Sequence, residues 1–320
     1  MNVLCLDHVC HKKTKSFDFF ADILRTAGVE VAVFYYDRHY IVRPQQDKID
    51  WADIIVYLEF LPSRYRLLFP GKRTVFLPMY DNEWANYWQW KRIAWSGMGV
   101  VSFCDKVTEH ARRCGVTNIL DVRYFPDPAS FPQTDGDPKR VFLWERGEID
   151  RSVAEILFPP VDGYVFDVKG ADEFLSREVY LERISKCGIV IAPRRKEGIG
   201  MVFLEAMAMG KCVVANNDAT MNEYIKDGEN GILFSIDRLA PISRDKIARV
   251  RVNVADSAAM LRARWIRDAA RINDFLFKQQ PCVPSFANRM KLTLSYPLFL
   301  AEGVLHVLAE RCSAIKPGGR

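Results

Sequence analysis

Short, nearly continuous apolar runs alternate along this chain with longer stretches in which apolar residues recur every three or four positions. "NVLCLDHV" at 2–9 has the first pattern, that of a strand buried on both faces. "SFDFFADILRTAG" at 16–28 has the second, and it stops at Gly28, where a helix-ending glycine is expected. "EVAVFYY", "ADIIVYLEF", "RTVFLPMY" and "GVVSF" predict further strands, and "KVTEHARRCG" another helix ending on glycine. Strands and helices in alternation mean a parallel sheet with helices packed on its faces.

"FPDPASFPQTDGDP" at 125–138 breaks the pattern, because its prolines, glycine and aspartates cannot hold a regular element. A second alternating set follows. It contains the strands "RVFLWE", "YVFDVK", "IVIAP", "KCVVAN" and "GILFS", the helices "REVYLERISKCG" and "MVFLEAMAMG", a polar helix "TMNEYIKDG", and a long helical stretch over roughly 243–279. The pattern predicts an α/β protein of two Rossmann-like, doubly wound domains facing across a cleft. The first spans 1–133 and the second 134–279, and a helical tail, 280–320, packs back on the first domain. Open parallel sheets bind ligands beyond the carboxyl ends of their strands, so the loops there are where chemistry is expected.

Composition narrows the class. The chain has 320 residues, 49% apolar and 27% charged, enough for two cores of ordinary size. A formal charge of +5 suits an anionic small molecule or an anionic membrane surface, and no basic stripe with interleaved aromatics points to nucleic acid. Eight cysteines occur without a C-x-x-C pair, which leaves zinc and dithiol chemistry unsupported. They read as free thiols of a reducing cytosol, with Cys5 and Cys212 buried in apolar runs. No basic region precedes the first strand, and no long uninterrupted apolar stretch is present. The expected location is therefore the cytoplasm, with peripheral contact at the inner face of the cytoplasmic membrane as an option.

The densest candidate chemistry lies in "RRKEGIGMVFLEAMAMGKCVVA" at 194–215. The loop after strand "IVIAP" carries Glu197 and then a Gly-Ile-Gly turn, and Glu205 follows one turn into the next helix. Glycines let backbone approach a ligand closely, and amides at a helix start favour an anion such as phosphate. A carboxylate on the same helix can accept both hydroxyls of a ribose. Donors for phosphate beside acceptors for sugar hydroxyls fit a nucleotide-sugar. A solvated Glu205 is disfavoured because it interrupts the apolar run "MVFLEAMAM". A dinucleotide-binding turn is also disfavoured: the third glycine of G-x-G-x-x-G would fall on Phe203.

"EGIGMVFLEAMAMGKCVVA" followed by "NEYIKDGENGILF" resembles the retaining GT-B glycosyltransferases of family 4, the group 1 glycosyl transferases. The match runs over 197–234, and weaker likeness in "VVSFCDKVTEHARRCGV" and "YFPDPASF" extends it across about 100–278. The resemblance implies a GT-B fold and transfer of a sugar from a nucleoside diphosphate sugar, of UDP or GDP type, to a hydroxyl of a glycan or lipid-linked acceptor. It implies retention at the anomeric carbon and a role in bacterial surface polysaccharide synthesis. No metal motif of the Asp-x-Asp type stands in a strand-end loop, so no metal or cofactor is expected to be required.

Carried over by position, the resemblance makes Glu197 a contact to the transferred sugar and Glu205 the ribose acceptor, with the amides of Gly198, Ile199, Gly200 and Met201 on sugar and phosphate. In "WERGEIDR", Arg146 and Arg151 stand where the family keeps cations on the diphosphate. Glu145 replaces the usual glycine and Arg151 the usual lysine. The first domain departs further, with no glycine in "DHVCHKKTKS". Lys12 and Lys13 there, with Tyr80, Asp81 and Glu83 after the fourth strand, are the acceptor-side candidates. "EWANYWQWKRIAW" reads as a helix that packs Trp84, Trp88 and Trp95 on the sheet. The final segment, with Arg289, Lys291 and Arg311, reads as a helix closing on the first domain or resting on an anionic membrane. A non-catalytic nucleotide-sugar-binding or partner subunit of the same fold is the alternative reading.

Overall fold

A computed structural model describes residues 1–37, 44–59, 61, 69, 71–81, 86–170, 173 and 175–301. The expected Glu83, Trp84 and Arg311 lie outside these residues. The chain divides into two compact units: Met1–Ser102, Lys106–Asp121 and Ala270–Arg320 form one, and Phe103–Asp105 with Val122–Ala269 form the other.

The first unit is built on strands β1 (Asn2–His8), β2 (Glu30–Tyr36), β3 (Ile54–Glu59), β4 (Arg73–Pro78), β5 (Gly99–Ser102) and β6 (Ile119–Asp121). They pair in parallel in the order β2-β1-β3-β4-β5-β6. The central strands are apolar on both faces because helices cover both: Val3–Leu6, Ile54–Leu58 and Val75–Leu77 are all buried. The connecting helices are α1 (His11–Thr14), α2 (Asp18–Thr26), α3 (Gln46–Trp51), α4 (Tyr87–Ser96) and α5 (Asp105–Arg113). The helical spacing read from the sequence is realised in α2, which buries Phe20, Ala21 and Leu24, and in α5, which buries Val107, Thr108 and Ala111.

One tryptophan assignment changes. In α4 the fully buried ring is Trp90, packed against Phe76 at 6.0 Å, while Trp88 and Trp95 are only half-buried. The inward face of α4 is set by Trp90 and Ile93, with Gln89 and Arg92 also enclosed. Trp88 and Trp95 lie off that face and pack on each other at 6.5 Å.

The second unit carries β7 (Asp137–Trp144), β8 (Val165–Lys169), β9 (Cys187–Ile191), β10 (Cys212–Asn216) and β11 (Ile232–Phe234) in the parallel order β11-β10-β9-β7-β8. Its helices are α6 (Arg151–Leu157), α7 (Arg177–Lys186), α8 (Met201–Ala208), α9 (Met221–Tyr224) and α10 (Arg244–Lys278), of which the residues from Ala270 on belong to the first unit. Asp150 and Ser176 cap α6 and α7 by accepting from Val153 N and Val179 N. The polar helix expected at 220–228 is a single turn, because the chain turns extended at Ile225. Along α10, Ile247, Val250, Val254, Ala258, Trp265, Ile272 and Leu276 are buried at helical spacing. A last helix, α11 (Phe286–Leu294), belongs to the first unit and packs on α4, where Arg92 donates to Ser295 Oγ at 3.0 Å.

The seven described cysteines are free thiols, with Cys5 and Cys212 buried as expected and Cys10 exposed. No described helix is long and apolar enough to cross a membrane.

Candidate functional site

Both sheets share one winding. In each, the chain starts on a central strand, adds one neighbour on one side, and then builds outward on the other side. The switch point lies between β1 and β3 in the first unit and between β7 and β9 in the second. Doubly wound sheets bind ligands at the carboxyl ends of the strands at such a point.

In the first unit the switch point is filled by a side chain. His11, at the start of α1, places Nδ1 2.6 Å from Asp7 Oδ1 at the end of β1, and Nε2 2.9 Å from Glu59 Oε2 at the end of β3. Burial alone would lower the imidazole pKa. Hydrogen bonds with Asp7, Cys10 and Glu59 outweigh it and raise the value from 6.5 to about 12. Burial raises the Asp7 carboxyl, and its bonds to His11 and to His8 N oppose the shift. The absence of glycine from this loop is thus explained locally: the loop becomes a one-turn helix pinned by His11. Lys12 and Lys13 ride on that turn, exposed. Tyr80 is buried, and its hydroxyl accepts from Lys106 Nζ at 2.8 Å, whereas Asp81 beside it is exposed.

In the second unit the switch point holds the glutamate-glycine loop. Glu197 and Glu205 are both buried, at 7% and 3% exposure. Gly200 caps α8 with φ +80°, and the helical ladder begins with Leu204 N donating to Gly200 O. The amides of Met201 to Phe203 therefore precede the ladder, as helix-start amides do. Only glycine fits at 200: a Cβ there would stand 1.9 Å from Cε1 of the buried Phe203 ring. The loop is anchored on two sides. Arg195 N donates to Glu148 Oε2 at 3.0 Å, and Asn216 Nδ2 at the end of β10 donates to Arg195 O at 3.0 Å.

Arg177, at the start of α7, answers the Glu205 charge: its Nη1 lies 2.9 Å from both carboxylate oxygens. Burial raises the Glu205 pKa and the guanidinium pulls it back down. Tyr180, one turn on, is buried beside Arg177, whose guanidinium lies 5.9 Å from its ring centroid. Its phenol is raised well above the ordinary value by burial first and then by the charge of Glu205, with Glu197 adding to it. At the end of β7, Trp144 carries two cations on its ring, Lys169 Nζ at 3.8 Å and Arg146 at 4.7 Å from the centroid. Burial lowers the Lys169 pKa. Trp144 Nε1 and Tyr180 Oη are buried without a hydrogen-bond partner among the described residues.

Of the sequence candidates, the structure gathers Glu197, Gly198, Ile199, Gly200, Met201 and Glu205 on one loop and helix. Arg146 and Arg151 stand on the neighbouring loop after β7. Arg151 is exposed, its Nε bonded to Glu155 at 2.8 Å and its amide to Glu145 Oε1 at 3.0 Å. Sequence reading missed Arg177, Lys169, Trp144 and Tyr180. Lys169 ends an apolar strand just before a glycine, which is a readable signal; Arg177 opens an ordinary polar helix and offers none.

The family model described as Glycosyl transferases group 1 matches residues 170–249. The phosphatidyl-myo-inositol mannosyltransferase of Mycobacterium tuberculosis is 29% identical over 177 residues, 50% of this chain and 42% of that protein. The first curated relatives are matched over only 18% to 42% of their own lengths. Among solved structures, sucrose-phosphate synthase of Thermosynechococcus elongatus superposes with a TM-score of 0.58 at 14% identity, covering 86% of this chain and 98% of that one. The Anabaena protein HepE in complex with UDP and glucose gives 0.52 at 13% identity, covering 86% and 99%. The two parallel sheets and these superpositions give the chain the GT-B fold, and its residues 170–249 are similar to the group 1 glycosyl transferases.

Two consequences are measurable. Gly200→Ala meets both the positive φ and the Phe203 ring, and is expected to lower stability by about 2–4 kcal/mol in urea denaturation. His11→Gln leaves Asp7 and Glu59 without their cation, at a cost of roughly 3 kcal/mol near pH 6. Because the folded imidazole binds its proton more tightly than the unfolded one, its contribution is complete below the unfolded pKa of 6.5 and is lost as pH rises toward the folded value of about 12. Wild type should therefore exceed His11→Gln by more at pH 6 than at pH 9.

Proposed function

We propose that this protein transfers a glycosyl group from a nucleoside diphosphate sugar to an acceptor hydroxyl, with retention of anomeric configuration. One observation carries the reading: two buried carboxylates flank a glycine-capped helix start at the switch point of the second unit's sheet. Glu205 would accept the ribose hydroxyls, which can take over the hydrogen-bonding role that Arg177 now fills. The amides of Gly198 to Met201 would meet the diphosphate and sugar, and Arg146 and Arg151 would neutralise the leaving group. The unpartnered Trp144 Nε1 and Tyr180 Oη supply further polar atoms beside that seat. UDP is the first donor nucleotide to test, since a protein of the same fold is known in complex with UDP and glucose; GDP is the second.

In the reaction proposed, the bond from the anomeric carbon to the diphosphate oxygen breaks and a bond to the acceptor oxygen forms on the same face. The acceptor proton passes to the leaving phosphate, and the nucleoside diphosphate departs. Glu197 would hold hydroxyls of the sugar ring as its anomeric carbon becomes cation-like. No metal or further cofactor has a role in this scheme. Acceptor contacts are assigned to the first unit, with Asp81, Lys12 and Lys13 as the exposed polar candidates.

The acceptor is proposed to be a glycan or a lipid-linked glycan of bacterial surface polysaccharide synthesis, met by a cytoplasmic protein at the membrane's inner face. Support for a membrane approach comes from α11 and the turn after it. Phe286, Met290, Leu294 and Leu298 form a stripe at four-residue spacing with exposures of 82%, 45%, 69% and 47%. Arg289 and Lys291 stand on the same stretch, as on helices that lie in an anionic interface. One feature favours a second reading, a nucleotide-sugar-binding subunit without turnover: the first unit's switch point is filled by His11 and offers no open glycine loop.

Turnover separates the two readings. Incubated with UDP- and GDP-sugars and candidate acceptors, wild type should release nucleoside diphosphate, and Glu197→Gln should lose at least about a hundredfold in kcat with donor affinity changed less than about threefold. Donor binding without release across the panel supports the subunit reading. In cosedimentation with phosphatidylglycerol vesicles at low salt, wild type should pellet and Phe286→Ser/Leu294→Ser should not; wild type remaining in the supernatant removes membrane contact.

A further inference from the structure

Thr220, four residues beyond the end of β10, adopts φ +70° and ψ −63°, a region that a β-branched residue rarely enters. It is fully buried. Glycine would occupy this conformation without strain, so a threonine held here needs a compensating contact. Its hydroxyl supplies two: it accepts from Glu223 N in the capping box of α9, and Oγ1 donates to the carbonyl of Gly198 at 3.4 Å, inside the loop between Glu197 and Gly200.

The residue is itself held from behind. Thr220 N donates to Glu223 Oε1 at 3.2 Å, and Glu223 also accepts from Asp105 N at 3.0 Å. The other Glu223 oxygen pairs with Arg123 at 2.5 Å, and Arg123 is 2% exposed. Arg123 pairs in turn with Asp105 at 2.6 Å, while its backbone amide donates to Asp268 at 3.0 Å. A buried polar chain therefore runs from Gly198 through Thr220 and Glu223 to Arg123. It stays within the second unit and ends beside the positions at which the backbone enters and leaves that unit.

On the reading of this loop as the donor site, we propose that Thr220 is a positioning residue: its hydroxyl fixes the Gly198 carbonyl and so aims the following amides at the diphosphate and sugar. The strained backbone is the means of holding that hydroxyl in place. Removing the hydroxyl of a residue that only capped α9 would leave the 196–201 amides and nucleotide affinity unchanged. Removing that of a positioning residue would change both.

Four proteins test this: wild type, Thr220→Ser, Thr220→Val and Thr220→Gly, each followed by hydrogen exchange of the peptide spanning 196–201, by thermal melting, and by UDP and GDP titration. Thr220→Val keeps shape and strain but has no hydroxyl. Its loop amides should exchange faster than wild type, and its affinity for the bound nucleotide should fall about five- to tenfold, the worth of one hydrogen bond. Thr220→Ser should restore both. Thr220→Gly relieves the backbone strain and should still bind as weakly as Thr220→Val. Unchanged exchange in Thr220→Val overturns the proposal and leaves the donor reading standing. So does wild-type affinity in Thr220→Gly. Wild type that binds neither nucleotide overturns the donor reading and this proposal together.

Discussion

The parallel pairing of β7 with β9 is the constraint on which the candidate site depends. A parallel pair cannot be closed by a tight turn, so each strand must be followed by a crossover, and all strand ends face the same edge. At the switch point, adjacent strands send their crossovers to opposite faces and a crevice opens between them. The loop carrying Glu197 and Gly200 is placed there by topology. Its anchors are short polar contacts, from Glu148 on the neighbouring loop and Asn216 on the neighbouring strand.

The same winding produces opposite electrostatic outcomes in the two units. In the first, two carboxylates converge at the strand ends and His11 between them takes up both, leaving the crevice filled by the chain itself. In the second, Glu205 projects from an almost wholly apolar helix, where a lone carboxylate would be costly to desolvate. Its partner is Arg177, on a long side chain half exposed to solvent. Such a partner can swing away when a ligand offers hydroxyls of its own, whereas His11, held at both ring nitrogens, cannot. Two buried acid clusters of similar composition thus differ in how reversible their compensation is.

The architecture was legible because parallel strands buried on both faces read as continuous apolar runs, and because the glycines at 28, 97, 115 and 210 end helices in left-handed backbone. Glu197, Gly200 and Glu205 could be found because they lie within nine residues of one another. What stayed hidden depends on contacts distant in sequence. Arg177 meets Glu205 from 28 residues away, and Arg123 meets Glu223 from much further. Trp90 is hidden among its neighbours because a sequence segment with tryptophan at 84, 88, 90 and 95, read as one helix, offers more than one face to choose from. The plug at His11 needed β1 and β3 to be neighbours before Asp7 and Glu59 could be placed together.

Glycine and threonine divide the work at the loop proposed as the donor site in a way that residue types alone do not reveal. Gly200 is required by space: its left-handed backbone and the ring of Phe203 leave room for nothing larger than hydrogen. Thr220 occupies a conformation in which glycine would be more stable, and its hydroxyl returns a contact that glycine could not make. A loop that must hold amides toward a multiply charged ligand gains from both devices, since glycine alone would leave it free to relax into other conformations. Under the proposed reading, backbone permissiveness would admit the ligand closely, and the strained neighbour, held by Glu223 and Arg123, would limit how far that permissive stretch can wander.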